Sequence, residues 1–194
     1  MRTRFLRGLA LAAVLATAGL AVLGSAGAAR APQQKLLALA VLRDASSNLV
    51  GNVYFFEARG KVSVVATGAR LAPGFHGFHI HAIGACEAAS AFTSAGGHEN
   101  PGAKTHGGHA GDMTPLLVNA DGTAWASFRT DRFVDAEVFD ADGSAVIVHA
   151  GADNLANIPT RYRTDAGAGP DAATLATGDA GARVACGLIR RAKS

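Results

Sequence analysis

The apolar residues of this chain come in short bursts separated by turn formers, and the spacing inside each burst is that of strands. Lys35–Asp44 reads KLLALAVLRD and Val50–Leu71 reads VGNVYFFEARGKVSVVATGARL, with Arg59-Gly60 as the predicted turn inside the second. Gly74–Ala82, GFHGFHIHA, alternates with period two. Pro115–Thr130 predicts strand, Asp121-Gly122 turn, strand. Ala136–Gly151 repeats the device, with Asp142-Gly143 ahead of an apolar run that ends at His149, and Ala182–Arg190 supplies a last strand. No stretch in this part of the chain carries the 3.6-residue apolar period of a helix. The pattern predicts an all-β fold, an antiparallel barrel or sandwich. Two long stretches interrupt it, Ala82–Thr114 and Ala150–Ala182. Loops of that length inside a domain are functional or disordered.

The N-terminus follows a different pattern. Arg2, Arg4 and Arg7 precede an uncharged run from Gly8 to Ala29, with Ala26-Gly27-Ala28 as a small-residue cleavage site. Residues 1–28 read as a secretory signal peptide, cleaved on export. The run is also long enough to serve as an uncleaved anchor. Residues 29–194 then form one domain, and the protein is expected in a periplasm, a cell envelope or the medium.

Removing the leader changes the charge argument. It holds three of the 18 basic residues and no acid, which leaves 15 basic against 15 acidic side chains. The mature chain is therefore formally neutral, and nucleic-acid binding loses its electrostatic basis. No membrane contact is expected unless the leader is retained. Two cysteines, Cys86 and Cys186, are a disulfide by default in an exported protein, with two free buried thiols as the alternative.

The candidate chemistry lies in the histidines. All seven fall between His76 and His149. His79 and His81 are two apart on a predicted strand, so their rings share one face, as a transition-metal pair would. HGGHAGD places His106, His109 and Asp112 at intervals of three in a glycine-rich loop, a donor set suited to zinc. Each group alone could equally be polar side chains facing water. Together with His98 and the strand-end His149 they exceed one metal's needs and suit two.

The segments GFHGFHIHAIGAC, SAGGHENP, HAGDM, VIVHAGADN and GDAGARVACGLI appear in this order between about Gly74 and Ile189, and they resemble copper/zinc superoxide dismutase, in particular its exported bacterial branch. The resemblance implies a Greek-key β-barrel, with copper and zinc as cofactors and superoxide as substrate. It assigns His79, His81, His98 and His149 to copper. His98 would bridge to zinc, which His106, His109 and Asp112 would complete. Asp153 matches an aspartate that hydrogen-bonds one copper and one zinc histidine. Cys86 and Cys186 match the family's disulfide, Arg183 matches the arginine that draws superoxide to copper, and His76 matches a structural histidine. The subunit would be a monomer or half of a homodimer.

Two positions depart from the family pattern. Only Gly107 and Gly108 separate His106 from His109, where relatives carry a longer run, and Glu99 stands where an aromatic residue usually follows the bridging histidine. A metal-dependent barrel hydrolase would need about 250 residues and alternating helices, and this chain has neither. The competing function is an exported copper-binding protein without catalysis on the same scaffold.

Overall fold

A computed structural model describes residues 34–133 and 138–193. The leader expected over residues 1–28 lies outside the described residues. Among the described residues eleven strands run β1 Leu36–Arg43, β2 Leu49–Glu57, β3 Val62–Gly68, β4 Gly74–His76, β5 Phe78–His81, β6 Leu116–Val118, β7 Ala124–Thr130, β8 Ala145–His149, β9 Arg163–Thr164, β10 Gly167–Ala168 and β11 Arg183–Arg191. Nine of them form one sheet in the order β4-β6-β7-β3-β2-β1-β11-β8-β5, with antiparallel ladders throughout. Its two edges, β4 and β5, are consecutive in the chain with only Gly77 between them. The sheet is thereby curled into a nearly closed barrel, which leaves little free edge.

Local chemistry explains the hairpins. At the β2–β3 turn Ala58 and Lys61 exchange backbone hydrogen bonds of 2.9 and 3.2 Å around Arg59-Gly60. The β6–β7 turn is closed by Asn119 N–H to Thr123 O at 2.7 Å and by the Asp121 carboxylate, which accepts from Thr123 N–H at 2.9 Å. Asp142-Gly143 differs from the sequence expectation: β8 pairs with β5 and β11, and residues 138–141, just ahead of that turn, form no strand.

The barrel core is a single cluster that includes Leu42, Val53, Phe55, Val64, Phe78, Ile80, Val146 and Val148. Phe78 and Ile80 are fully buried there, each contributing about 1.5–3 kcal/mol. A one-residue slip of β5 would exchange them with His79 and His81. Core burial thus locks the register that carries the histidine pair.

The outer face of β5, β8 and β11 is covered by the two long loops. The first holds 3-10 turns at Ala88–Ser90 and Thr93–Ala95, and its Phe92 and Ala95 pack on Ala145, Ile147 and Cys186. Cys86 is disulfide-bonded to Cys186 of β11, which pins that loop to the sheet. The second loop is more ordered than the sequence pattern indicates. It contains the β9–β10 hairpin and a helix, α1 (Ala172–Thr177), N-capped by Asp171, whose side chain accepts from Thr174 N–H at 2.8 Å. Six residues span less than two turns, too few for a helical period to stand out.

Candidate metal centre

The site lies on the barrel's outer face, under the loops. His79 and His81 are 0 and 1% exposed and point away from Phe78 and Ile80. The first long loop then folds back along β5 like an irregular extra strand. Glu99 N–H donates to Ile80 O at 2.9 Å, Ile80 N–H to Gly111 O at 2.9 Å and Gly111 N–H to Glu99 O at 2.8 Å. These bonds set His98 opposite His81 and Asp112 opposite His79. Gly111 permits the approach, because a Cβ there would lie 2.2 Å from Ile80 O. His149, at the end of β8, donates its backbone N–H to Gly77 O at 2.8 Å and lies opposite Arg183 of β11.

Two groups of donor atoms result, each within 4.8 Å of one another: His79, His81, His98 and His149 in one, and His79, His98, His106 and Asp112 in the other. His109 joins the second, with Nδ1 3.2 Å from both His98 Nδ1 and Asp112 Oδ1. Hydrogen bonds decide which nitrogen of each ring is left over. His81 Nδ1 donates to Gly96 O at 3.0 Å and His149 Nδ1 to Gly181 O at 2.9 Å, so both offer Nε2, the two lying 3.4 Å apart. His79 Nε2 donates to Asp153 Oδ2 at 2.6 Å and leaves Nδ1. His106 Nε2 donates to Asp153 Oδ1 at 2.8 Å and also leaves Nδ1.

His98 faces both groups. Its Nδ1 is 2.9 Å from Asp112 Oδ1, while Nε2 has no partner. Nε2 of His98 and Nδ1 of His79 and His106 are among the few buried side-chain atoms without a hydrogen-bond partner. Orphaned buried polar atoms are costly, and here three of them converge on the two donor groups. In the second group His106 Nδ1 lies 3.3 Å from Asp112 Oδ1. Tetrahedral zinc with bonds of about 2.0–2.1 Å spaces its ligands by roughly 3.3–3.4 Å. The residues present fit zinc on one side of His98 and an imidazole-rich copper on the other.

The electrostatics favour cations. Burial pushes His79, His81 and His149 down, His149 to about 4. They are neutral near pH 7, the form in which imidazole is a ligand. Burial likewise lowers His109. At His106 burial opposes protonation, but the Asp112 and Asp153 carboxylates on either side of the ring outweigh it and raise it to about 9. Burial works against ionisation of both carboxylates, yet the histidines bonded to them hold each well below the usual range. In the absence of metal a proton on His106 takes the place of a cation.

His76 lies outside both groups, its ring nitrogens 2.6 Å from His149 O and 2.7 Å from Ala72 O. Arg183 donates to Phe92 O and Gly96 O, both at 2.6 Å. Gly96 O therefore joins Arg183 to His81. These carbonyls left no trace in the sequence pattern, because any residue supplies one. Two residues left no signal in the sequence pattern: Arg132, which donates to Gly107 O, and Gly178, whose backbone lies against the His106 ring.

Residues 49–189 match the family described as copper/zinc superoxide dismutase (SODC). The chain belongs to the copper/zinc superoxide dismutase family. It is 40% identical over 168 residues to the Cu-Zn superoxide dismutases of Mycobacterium bovis and Mycobacterium tuberculosis, covering 80% of this chain and 70% of each relative. It is 46% identical over 130 residues to that of Mycolicibacterium paratuberculosis, where the match spans 61% of this chain and 57% of the relative. Among solved structures it is similar to a SOD-like protein from Bacillus subtilis, with TM-score 0.62 and 28% identity over 80% of this chain and 99% of that one. The Greek-key barrel expected for the dismutase family is the observed architecture.

Proposed function

We propose that this chain dismutes superoxide, holding copper through His79 Nδ1 and the Nε2 atoms of His81, His98 and His149, and zinc through the Nδ1 atoms of His98, His106 and His109 with Asp112 Oδ1. Membership of the copper/zinc superoxide dismutase family carries the activity and both metals. The observation that carries the assignment of residues is the single imidazole of His98, with one nitrogen in each donor group.

Copper supplies the one-electron redox cycle by which one superoxide becomes oxygen and a second, with two protons, becomes hydrogen peroxide. The chain's own residues do the rest. His98 Nε2, buried and without a protein partner, is placed to take up a proton and return it. Asp153 holds His79 and His106 in one tautomer each, which keeps Nδ1 of both rings free. Arg183, anchored on Phe92 O and Gly96 O, puts a fixed positive charge beside His81 and His149, suited to attracting a small anion. The zinc-side residues hold His98 in place, since zinc has no redox chemistry.

Residues 1–28 are read as the export leader and the working location as extracytoplasmic, in keeping with the disulfide; the subunit acts as a monomer or homodimer. Elemental analysis and superoxide decay, measured on exported protein supplied with both metals, test this reading. One copper and one zinc per chain with accelerated decay support it. Stoichiometric copper without accelerated decay would return the chain to a copper-binding protein, and absence of copper would overturn the site.

A further inference from the structure

Two residues, Gly107 and Gly108, separate His106 from His109. Glycines impose little backbone preference, so this short segment cannot by itself hold two imidazoles at a fixed spacing. Its rigidity comes from outside. On the amide side the second oxygen of Asp112 accepts from Gly107 N–H at 2.7 Å and from His109 N–H at 3.0 Å. On the carbonyl side Arg132, reaching in from beyond β7, donates through Nη1 to Gly107 O at 2.8 Å and to His109 O at 3.3 Å. At His106 the backbone N–H donates to Leu175 O of α1 at 2.7 Å. The residue that ends α1, Gly178, lies against the His106 ring: a Cβ there would sit 2.2 Å from Nε2 and 2.6 Å from Cδ2. That Nε2 is the atom bonded to Asp153.

We propose that Arg132 and Gly178 are positioning residues for the zinc donors, Arg132 holding His109 and Gly178 seating His106. Together they replace the order that a longer loop would otherwise supply. The inference rests on the zinc reading above. Neither residue offers an atom to the metal; each sets where a ligand nitrogen lies. Charge argues that the role of Arg132 is geometric. A guanidinium near a dication is repulsive, so an arginine acting only through its field would weaken zinc binding. Removing it would then tighten binding, whereas removing a positioning contact loosens it. The two roles differ in sign.

The test compares the parent protein with Arg132→Ala, Gly178→Ala and Gly169→Ala. Gly169 is the control, because it also has a positive φ, +85° against +63° at Gly178, but a Cβ there meets nothing within 4 Å. Zinc affinity is measured by chelator competition on copper-loaded protein. The visible absorption of cobalt(II) placed in the zinc site reports ligand geometry. Arg132→Ala and Gly178→Ala are expected to weaken zinc at least tenfold, the usual scale for residues that orient ligands, and to reduce the intense tetrahedral cobalt bands. Gly169→Ala should stay within twofold of the parent. Equal affinity in all four proteins, or tighter zinc in Arg132→Ala, overturns the inference while leaving the zinc reading intact. A parent that takes up no zinc overturns both. Should Gly178→Ala fail to fold, Arg132→Ala decides alone, since Arg132 is exposed and outside the core.

Discussion

His79 and His106 are bonded to the two oxygens of one carboxylate. Asp153 Oδ2 lies 2.6 Å from His79 Nε2, and Oδ1 lies 2.8 Å from His106 Nε2. The two donor groups are therefore joined twice, through the His98 ring and through Asp153. Asp153 sits four positions beyond His149, at the start of the second long loop.

Asp153→Ala should lower zinc affinity by about 10–100-fold, because both rings lose the partner that fixes their tautomer. His79 and His106 would each keep a buried Nε2–H with nothing to accept it. Isothermal titration of the metal-free variant with zinc, then copper, checks this. Unchanged zinc affinity would mean that burial alone orients the rings.

Replacing Cys86 and Cys186 together by serine should cost stability on the order of 4.7 kcal/mol, the chain-entropy value for a loop of about 100 residues. The sequence separation here is 100. The disulfide also holds the loop that carries Phe92 O and Gly96 O, the acceptors for Arg183. Urea unfolding of the copper- and zinc-loaded variant should show the lower midpoint, and its activity should fall even where the fold persists.

Acid should destabilise the metal-free protein from pH 6.5 downward. His149 titrates at about 4 in the folded chain against 6.5 for an exposed imidazole, and His79 and His81 are shifted the same way. A depressed folded value means the unfolded chain binds the proton first, so this contribution is complete above pH 6.5 and lost as pH falls towards 4. His106 acts in the opposite sense. Its folded value of about 9 makes its contribution complete below pH 6.5 and lost as pH rises to 9. Urea midpoints of the metal-free protein should therefore peak near pH 6.5, and His106→Gln should flatten the alkaline limb.

Arg183→Ala should leave copper content unchanged and reduce the second-order rate constant for superoxide at least tenfold, within the 10–10³ range of electrostatic steering. The salt dependence of the rate should weaken in parallel, because screening acts on the charge that was removed. Arg183→Lys should retain part of both effects. Pulse radiolysis over a range of ionic strength separates lost steering from a disturbed site.

Much of this molecule was legible before any coordinates. β5, β8 and β11 appear as GFHGFHIHA, AVIVH and ARVACGLIR, because one face of each packs into the core and burial imposes an alternating or continuous apolar pattern. The candidate donors stood out for a related reason: imidazole and carboxylate declare their chemistry by residue type, and i,i+2 on a strand or i,i+3 in a glycine loop brings such side chains close together. Helix α1 was not legible, since it is short and held by its Asp171 cap and by His106 rather than by an apolar face.

The sequence by itself determined the main strands of the barrel, the turns at Arg59-Gly60 and Asp121-Gly122, and the inventory of candidate donor side chains, all of them consequences of near neighbours along the chain. Tertiary structure alone decided which nitrogen of each ring is free, since that depends on Gly96 O, Gly181 O and Asp153 arriving from distant segments. It also decided that Arg132 and Gly178 meet the short loop between His106 and His109. Such contacts form only when the barrel closes and the two long loops fold back over β5. A hydrogen bond to a backbone carbonyl carries no residue identity that could be read beforehand.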